Sequence, residues 1–282
     1  MAVDADGETG GRSPPLLARI PPDGATPHDV PSAVSALAGR SRPREVWCNE
    51  LGGRTFQIGA GPGRRFVKWA PQGSGLDLEA EAVRLAWAGR YTAVPHVLEH
   101  GRDAEGAWLL TLGLQGESAV SERWKRQPAR AVRALGVGLR ALHDALPAAD
   151  CPFSWSLDER LAAVERGRES IEPARWHAVH RPLGLARALD ILASPPPLDR
   201  LVVCHGDACA PNTLIAGDGR PTGHVDLGAL GVADRWADIA IATWSTEWNY
   251  GPGWERHLLD AYGIEPDPAR TAYYRLLWDV GA

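Results

Sequence analysis

Several features that would point to other classes of protein are scarce in this sequence. Its four cysteines, Cys48, Cys151, Cys204 and Cys209, are too few and too scattered for a disulfide framework. No stretch free of charge approaches the roughly 20 apolar residues of a membrane-spanning helix. The acidic N-terminus lacks a basic segment followed by an apolar one, so no signal peptide is visible and we expect a cytoplasmic protein.

An excess of basic residues is also missing. With 30 basic and 35 acidic side chains the net charge is −5, which argues against nucleic acid or an anionic membrane as the main partner. The mild negative balance suits a cationic substrate. A hydrophobic content of 44% is ordinary for a soluble globular protein, and 282 residues suit two lobes. We expect a monomer or a weak dimer.

Residues 201–227 contain the main candidate catalytic and metal-binding residues. Two apolar runs and a glycine turn predict strand, loop, strand, turn and strand, with Asp207 and Asn212 on the loop and Asp226 after the last strand. Phosphoryl transfer accounts for these residue types. It uses one carboxylate to orient the acceptor hydroxyl and take its proton, and an amide oxygen and a second carboxylate to bind Mg²⁺. The alternative is that all three are ordinary turn and loop residues.

A zinc site is a second alternative for the same region. Cys204, His205, Cys209 and His224 lie close together in the sequence. They lack the Cys-x-x-Cys or His-x-x-x-His spacing of a typical zinc site, and Cys204 lies in an apolar strand. We therefore prefer the magnesium interpretation.

The rest of the chain predicts strands first and helices later. Strands are expected within 44–58, around a turn at Gly52 and Gly53, and at 65–69, 95–98 and 107–111. Glycines between strands let backbone N–H groups approach phosphate oxygens, although a plain hairpin turn is the commoner meaning. Helices are predicted over 31–39, Leu78–Ala88, Pro128–Ala145, 152–166 with Ser156 as a cap, 175–193, from 234 or 235 onward, 254–262 and 268–280. Residues 244–254 are predicted as a helix end plus loop.

The chain resembles the aminoglycoside O-phosphotransferases, antibiotic-resistance kinases with a protein-kinase-like fold. The resemblance spans roughly 46–279 and is strongest in the C-terminal half. It rests on the His205-Gly206-Asp207 run, Pro211-Asn212, the Asp226-Leu227-Gly228 run, residues 233–240 and Tyr262-Gly263-Ile264.

The resemblance implies an α+β, bilobal fold. A five-stranded antiparallel sheet with a helix would form an N-terminal nucleotide-binding lobe over 31–112. A mainly helical C-terminal lobe with a catalytic β-hairpin would follow over 113–282, for catalysis and substrate binding. Residues 1–30, rich in Gly, Pro, Asp and Ala, are expected to form a disordered or loosely packed arm.

The resemblance also implies roles for individual residues. Asp207 would be the catalytic base, and Asn212 and Asp226 the Mg²⁺ ligands. Lys68 would position the nucleotide phosphates through an ion pair with Glu81, which we prefer to Glu79. The inter-lobe linker at 112–116 would pair with adenine. The remaining implied residues are Gly52, Gly53, Thr111 and Gly113 around the nucleotide, Asp238 as a brace of the catalytic loop, and His205 in a structural role.

The acceptor side departs from the family. Ala229 follows the Asp-Leu-Gly run where many relatives have arginine, and the loop near Trp176, often acidic in relatives, is not acidic here. We expect the acceptor's ammonium groups to meet carboxylates beside tryptophan faces, which favour cations. The expected residues are Asp279, Glu247, Trp278 and Trp248. The alternative is that Glu247 and Asp279 are solvated surface charges.

The sequence thus predicts an enzyme that transfers the γ-phosphate of ATP or GTP, with Mg²⁺, to a hydroxyl of a cationic antibiotic, an aminoglycoside first. Alternatives are a kinase for another basic antibiotic, such as a tuberactinomycin-type cyclic peptide, or for a small metabolite. A catalytically silent nucleotide-binding protein of the same fold is the alternative from another class.

Overall fold

The computed structural model describes residues 30–281, so nearly all of the predicted arm at 1–30 lies outside the described residues. The first lobe is built on an antiparallel five-stranded sheet with the order β1-β2-β3-β5-β4. Its strands are β1 (Arg44–Cys48), β2 (Arg54–Ile58), β3 (Arg65–Pro71), β4 (His96–Arg102) and β5 (Gly106–Leu112). The predicted five-stranded sheet is confirmed.

Two helices pack on this sheet. Helix α1 (Ser32–Ala38) buries Val34 against a small core made with Phe56 and Val67. Helix α2 (Leu78–Ala88) begins where the Asp77 side chain accepts a hydrogen bond from the Ala80 N–H at 2.9 Å. This capping satisfies a backbone donor that has no partner inside the helix.

The chain leaves the sheet after Leu112 and enters the second lobe. At the crossing, the Gly113 N–H donates to the Arg64 carbonyl at 2.8 Å. The Arg64 guanidinium in turn donates to the carbonyl oxygens of Leu114 and Gly116. Arg64 therefore fixes the connecting segment against the beginning of β3.

The second lobe is mainly helical. Helix α4 (Pro128–Ala145) lies at its centre and packs closely on α8 (Glu255–Tyr262): a Cβ on Gly136 would lie 2.5 Å from the Leu258 carbonyl oxygen. None of the described helices is long and apolar enough to cross a membrane. The helices are α3 (Glu122–Lys125), α4 (Pro128–Ala145), α5 (Leu157–Arg166), α6 (Gly184–Leu192), α7 (Trp236–Tyr250), α8 (Glu255–Tyr262) and α9 (Pro268–Gly281).

The second lobe also contains two small antiparallel sheets. The first has the order β6-β8-β9, and the second pairs β10 with β7. The predicted hairpin at 213–227 is present as β8 and β9. The strands are β6 (Glu117–Ser118), β7 (Leu201–Cys204), β8 (Thr213–Ile215), β9 (Pro221–His224) and β10 (Gly231–Asp234).

Some predicted boundaries are wrong. The helix predicted over 175–193 is confined to α6, because Pro182 lies in a short 3₁₀ turn and Gly184 adopts a φ of 64°. By contrast, the helix end plus loop predicted for 244–254 agrees with the structure, where α7 ends at Tyr250. The strands β6 and β10 were not predicted, because each is short and pairs with a distant partner.

Candidate active site

Asp207 lies on the loop that follows β7, together with Asn212. The Asn212 amide donates to the Asp207 carboxylate Oδ2 and to the Asp207 carbonyl oxygen, both at 3.0 Å. The other carboxylate oxygen, Oδ1, is buried and has no hydrogen-bond partner among residues 30–281. Asn212 thus holds the carboxylate in one orientation and leaves Oδ1 for another group.

Asp238 braces this loop from below, as the resemblance implied. Its carboxylate accepts hydrogen bonds from the backbone N–H groups of His205, at 2.5 Å, and Gly206, at 3.0 Å, and from His143 Nε2 at 3.0 Å. Gly206 has a φ of 84°, and a Cβ there would lie 2.3 Å from the Ala229 carbonyl oxygen. The bend before Asp207 therefore requires glycine.

Asp226 follows β9 in an unusual backbone conformation. Its φ of 67° makes it the one residue other than glycine with positive φ in the described part of the chain. Such a conformation costs roughly 1–3 kcal/mol and is found mainly at functional sites. It brings the Asp226 carboxylate to the Lys68 ammonium, with Oδ1 2.7 Å from Nζ.

Lys68 on β3 contacts two carboxylates at once. Its ammonium lies 2.7 and 2.9 Å from the two Glu81 oxygens, in addition to the contact with Asp226. Glu79, the alternative partner, instead forms an exposed pair with Arg102 on the surface. The preference for Glu81 over Glu79 as the carboxylate paired with Lys68 agrees with this geometry.

The surroundings raise the pKa of Lys68 and of Asp207 and lower the pKa of Asp226. Burial acts to lower the pKa of Lys68, but the charges of Asp226 and Glu81 outweigh it and raise the pKa. Burial acts to raise the pKa of Asp226, and Lys68 more than reverses this. Burial, assisted by the negative charge of Asp226, raises the pKa of Asp207, which makes its carboxylate a better proton acceptor.

The oxygen atoms of Asn212 and Asp226 suit a hard divalent cation. The Asn212 Nδ2 is used by Asp207, so its amide oxygen is the group left for a ligand. The Asp226 side chain is 45% exposed, and only its Oδ1 contacts Lys68. An amide oxygen and a partly free carboxylate on two loops are ligands that Mg²⁺ accepts.

A cavity of about 680 Å³ lies between the lobes, and Asp207 is not among its lining residues. Thr111 and Gly113, which were predicted to lie around the nucleotide, are among its lining residues. Gly52 and Gly53 are not among its lining residues; they close the β1–β2 turn, where the Gly53 N–H donates to Asn49 Oδ1 at 2.7 Å. Residues of the strands β1 and β2 themselves line the cavity instead. The charged and polar groups lining the cavity include Lys68, Glu81, Asn212 and Asp226.

A cluster of aromatic rings lies beside the loop that carries Asp207. Ser245 on α7 accepts a hydrogen bond from the Ala210 N–H at 2.8 Å, which places this helix against the loop. The neighbouring rings of Trp244 and Trp248 lie 5.1 Å apart, and the Trp248 Nε1 is buried and unpartnered among the described residues. Glu247, between them, is exposed.

The structure corrects the role predicted for Asp279. Its carboxylate has 0% exposure, because His180 covers it with Nδ1 2.5 Å from Oδ2. The His177 N–H donates to the same oxygen at 3.0 Å. The predicted direct contact between Asp279 and an acceptor is therefore wrong. Glu247 is exposed and Trp248 is partly exposed. Trp278 is half-buried on α9.

The four residues weighed for a zinc site do not form one group of ligand atoms within 4.8 Å in the described part of the chain. Among the described residues, the potential metal ligands that gather within 4.8 Å are His143, Cys204 and Asp238, without Cys209 or His224. Both polar members are engaged: His143 contacts Tyr262 and Asp238, and Asp238 holds the catalytic loop. The cluster is a hydrogen-bonded brace.

Comparison with known proteins settles the family. Residues 49–274 match the family described as "Phosphotransferase enzyme family". The chain belongs to this family. It is 36% identical over 265 residues to the aminoglycoside 3'-phosphotransferase of Streptomyces fradiae, covering 84% of this chain and 96% of the relative. The predicted membership and phosphotransferase class are confirmed.

Solved structures of the family agree with the fold. The crystal structure of the type VIII aminoglycoside-3'-phosphotransferase has a TM-score of 0.73 and 31% identity, covering 88% of this chain and 97% of that one. The APH(3'')-Id of Streptomyces rimosus, in complex with ADP and streptomycin, has a TM-score of 0.68 and 26% identity, covering 88% and 96%. The predicted bilobal kinase-like fold is confirmed.

Several residues that shape this site were not assigned a role from the sequence. His143 has a visible signal, since it closes a strongly amphipathic helix beside an acidic residue. His177 and His180 lie in the segment for which a helix was predicted, and nothing local indicated that they meet Asp279 about 100 residues later. The same holds for Arg64, whose contacts with the linker are about 50 residues away.

Proposed function

We propose that this protein transfers the γ-phosphate of ATP to a hydroxyl of a cationic aminoglycoside, and so confers resistance. One observation carries the proposal: Lys68 from the first lobe contacts Asp226 from the second at 2.7 Å, across the cleft that also receives Asn212. A phosphate-positioning cation and two oxygen ligands thus meet at one place, as phosphoryl transfer requires.

Each residue of the site has one task in this proposal. Asp207 orients the acceptor hydroxyl through its unpaired Oδ1 and takes its proton as the oxygen bonds to the γ-phosphorus; the bond between that phosphorus and the β-phosphate oxygen breaks, and ADP leaves. Lys68, fixed by Glu81, contacts the nucleotide phosphates. Asn212 and Asp226 would hold Mg²⁺, which when bound neutralises charge on the transferred phosphate. No covalent enzyme intermediate is needed.

The neighbourhood of Asp207 supports a cationic acceptor. Glu247 supplies an exposed carboxylate one residue from Trp248, and an ammonium over an indole face gains about 0.5–2 kcal/mol. The relatives from Streptomyces fradiae and Streptomyces rimosus carry aminoglycoside kinase names, which favours this class of acceptor. Thr111 and Gly113 line the same cavity and are the candidate neighbours of the nucleotide base.

A coupled ADP-release assay tests the proposal. The purified chain, with Mg²⁺ and either ATP or GTP, is offered streptomycin, aminoglycosides that carry a free 3'-hydroxyl, a tuberactinomycin-type peptide and choline. We expect acceptor-dependent ADP release and a mono-phosphorylated product with at least one aminoglycoside. Turnover only with the peptide or choline would contradict the aminoglycoside proposal, and silence with every acceptor would indicate a non-catalytic nucleotide-binding protein.

A further inference from the structure

The loop that covers Asp279 is tied to the second lobe at several points. Asp279 on α9 receives two hydrogen bonds on one oxygen, from His180 Nδ1 and from the His177 N–H. Because a carboxylate only accepts, the His180 proton must reside on Nδ1. The loop is also closed on itself, since Arg181 Nε donates to the Trp176 carbonyl at 2.8 Å.

The same loop packs against the aromatic cluster beside the catalytic loop. The ring of His177 lies 4.7 Å from that of Trp244, and the ring of His180 lies 5.6 Å from it. The ring of Trp244 in turn lies 5.1 Å from that of Trp248. Ser245, which follows Trp244 in the chain, accepts a hydrogen bond from the loop that carries Asp207. A continuous series of contacts therefore runs from Asp279 through the histidines and tryptophans to the loop that carries Asp207.

The exposure of these residues shows which of them can contact an acceptor and which can only support those that do. Asp279 is fully buried, and the His180 side chain is 11% exposed. His177 is half-buried, and Glu247 on the facing helix is exposed. The buried pair can act on an acceptor only through its neighbours, whereas the His177 ring can contact one directly.

We propose that His180 is a positioning residue for the acceptor: by holding Asp279 it fixes the loop 176–180 against α7 and α9, so that His177 and Trp248 form the acceptor wall. The inference rests on the proposed function and adds two histidines to it. The wall is then built from the imidazole of His177, the partly exposed indole of Trp248 and the carboxylate of Glu247. Such a wall suits an acceptor ring that carries both hydroxyl and ammonium groups.

The test uses two substitutions at His180. His180→Leu removes the donor, whereas His180→Asn places an amide N–H close to the position of Nδ1. With the best aminoglycoside of the wild-type panel, we expect His180→Leu to raise the acceptor KM about tenfold while the KM for ATP changes less than twofold. His180→Asn should recover most of the loss, and His257→Leu, an exposed histidine on α8, should have no effect.

A double-mutant cycle shows whether His180 acts through Asp279. The expected acceptor KM of His180→Leu combined with Asp279→Asn is close to that of the worse single variant, because both remove the same support. Effects that multiply would contradict the proposed route. If His180→Leu does not fold, His177→Ala decides: its half-exposed ring should be dispensable for folding, and an unchanged acceptor KM would overturn the proposed wall.

The outcome also separates this inference from the proposed function. A wild-type chain that phosphorylates no acceptor overturns both. A wild-type chain that phosphorylates an aminoglycoside, with an acceptor KM that stays within twofold in folded His180→Leu and in His177→Ala, overturns the positioning role alone. An equal rise in the KM for ATP and for the acceptor would show a general disturbance of the lobe and would also contradict it.

Discussion

Replacing Glu81 by glutamine tests how the lysine of the cleft is held. The Glu81 side chain is only 6% exposed and gives Lys68 two contacts at 2.7 and 2.9 Å. Without its charge, the Lys68 ammonium is left to Asp226, the residue that would hold the metal. Glu81→Gln should therefore weaken both phosphate positioning and the metal site.

The magnitude follows from the contacts that are lost. A hydrogen bond to a charged group contributes about 1.5–3 kcal/mol, so kcat/KM for ATP should fall roughly 10- to 100-fold. The free energy of unfolding should fall by only about 1–2 kcal/mol, less than for a buried pair that loses its sole partner, because Asp226 still pairs with Lys68.

The same helix offers a matched control. Glu79 is two residues away, and its side chain is 61% exposed in a pair with Arg102. Exposed pairs contribute about 0–1 kcal/mol, so Glu79→Gln should leave kcat/KM for ATP within twofold. The assay is steady-state ADP release at varied ATP, with thermal unfolding of both variants. Equal effects of the two substitutions would refute the assignment of Glu81.

The remaining predictions concern the metal, the brace and acid stability. Asp226→Asn should raise the Mg²⁺ concentration needed for half-maximal turnover, with partial rescue by Mn²⁺; an unchanged Mg²⁺ titration counts against a ligand role. Asp238→Ala leaves the N–H groups of His205 and Gly206 without their acceptor and should lower the free energy of unfolding by about 3 kcal/mol in a urea titration. Burial lowers the pKa of His224 to about 4, so only the unfolded state takes up this proton as the pH falls from 6.5 to 4. The free energy of unfolding should fall by about 3 kcal/mol across that window, and His224→Gln should flatten the decline.

Local signals were sufficient for many elements of the fold. Helices Leu78–Ala88 and Pro128–Ala145 were predicted with the bounds that the structure has, because each combines apolar periodicity with a recognisable start. The strand Gly231–Asp234 was missed, since four residues carry little periodicity and its partner Leu201–Cys204 lies about 30 residues earlier. Long-range pairing of short strands is invisible to a local pattern.

The active site likewise contains residues that are close in the sequence, which a local pattern can connect, and residues that are far apart, which it cannot. Asp207 and Asn212 lie on one loop, so their spacing alone suggested that they meet. Lys68 and Asp226 are 158 positions apart, and only the family resemblance suggested that they belong to one site. The acceptor side was the least predictable part: the depth of Asp279 depends on how His180 folds over it, which no sequence pattern records.

The measurement that tests the central claim most directly is the turnover of Asp207→Asn with a wild-type acceptor. The substitution preserves the shape of the side chain and removes the base. General-base catalysis contributes about 10²–10⁴-fold, so kcat should fall by that factor while the dissociation constant for ATP stays within twofold. A variant that folds normally and keeps more than a tenth of the wild-type kcat would contradict the account.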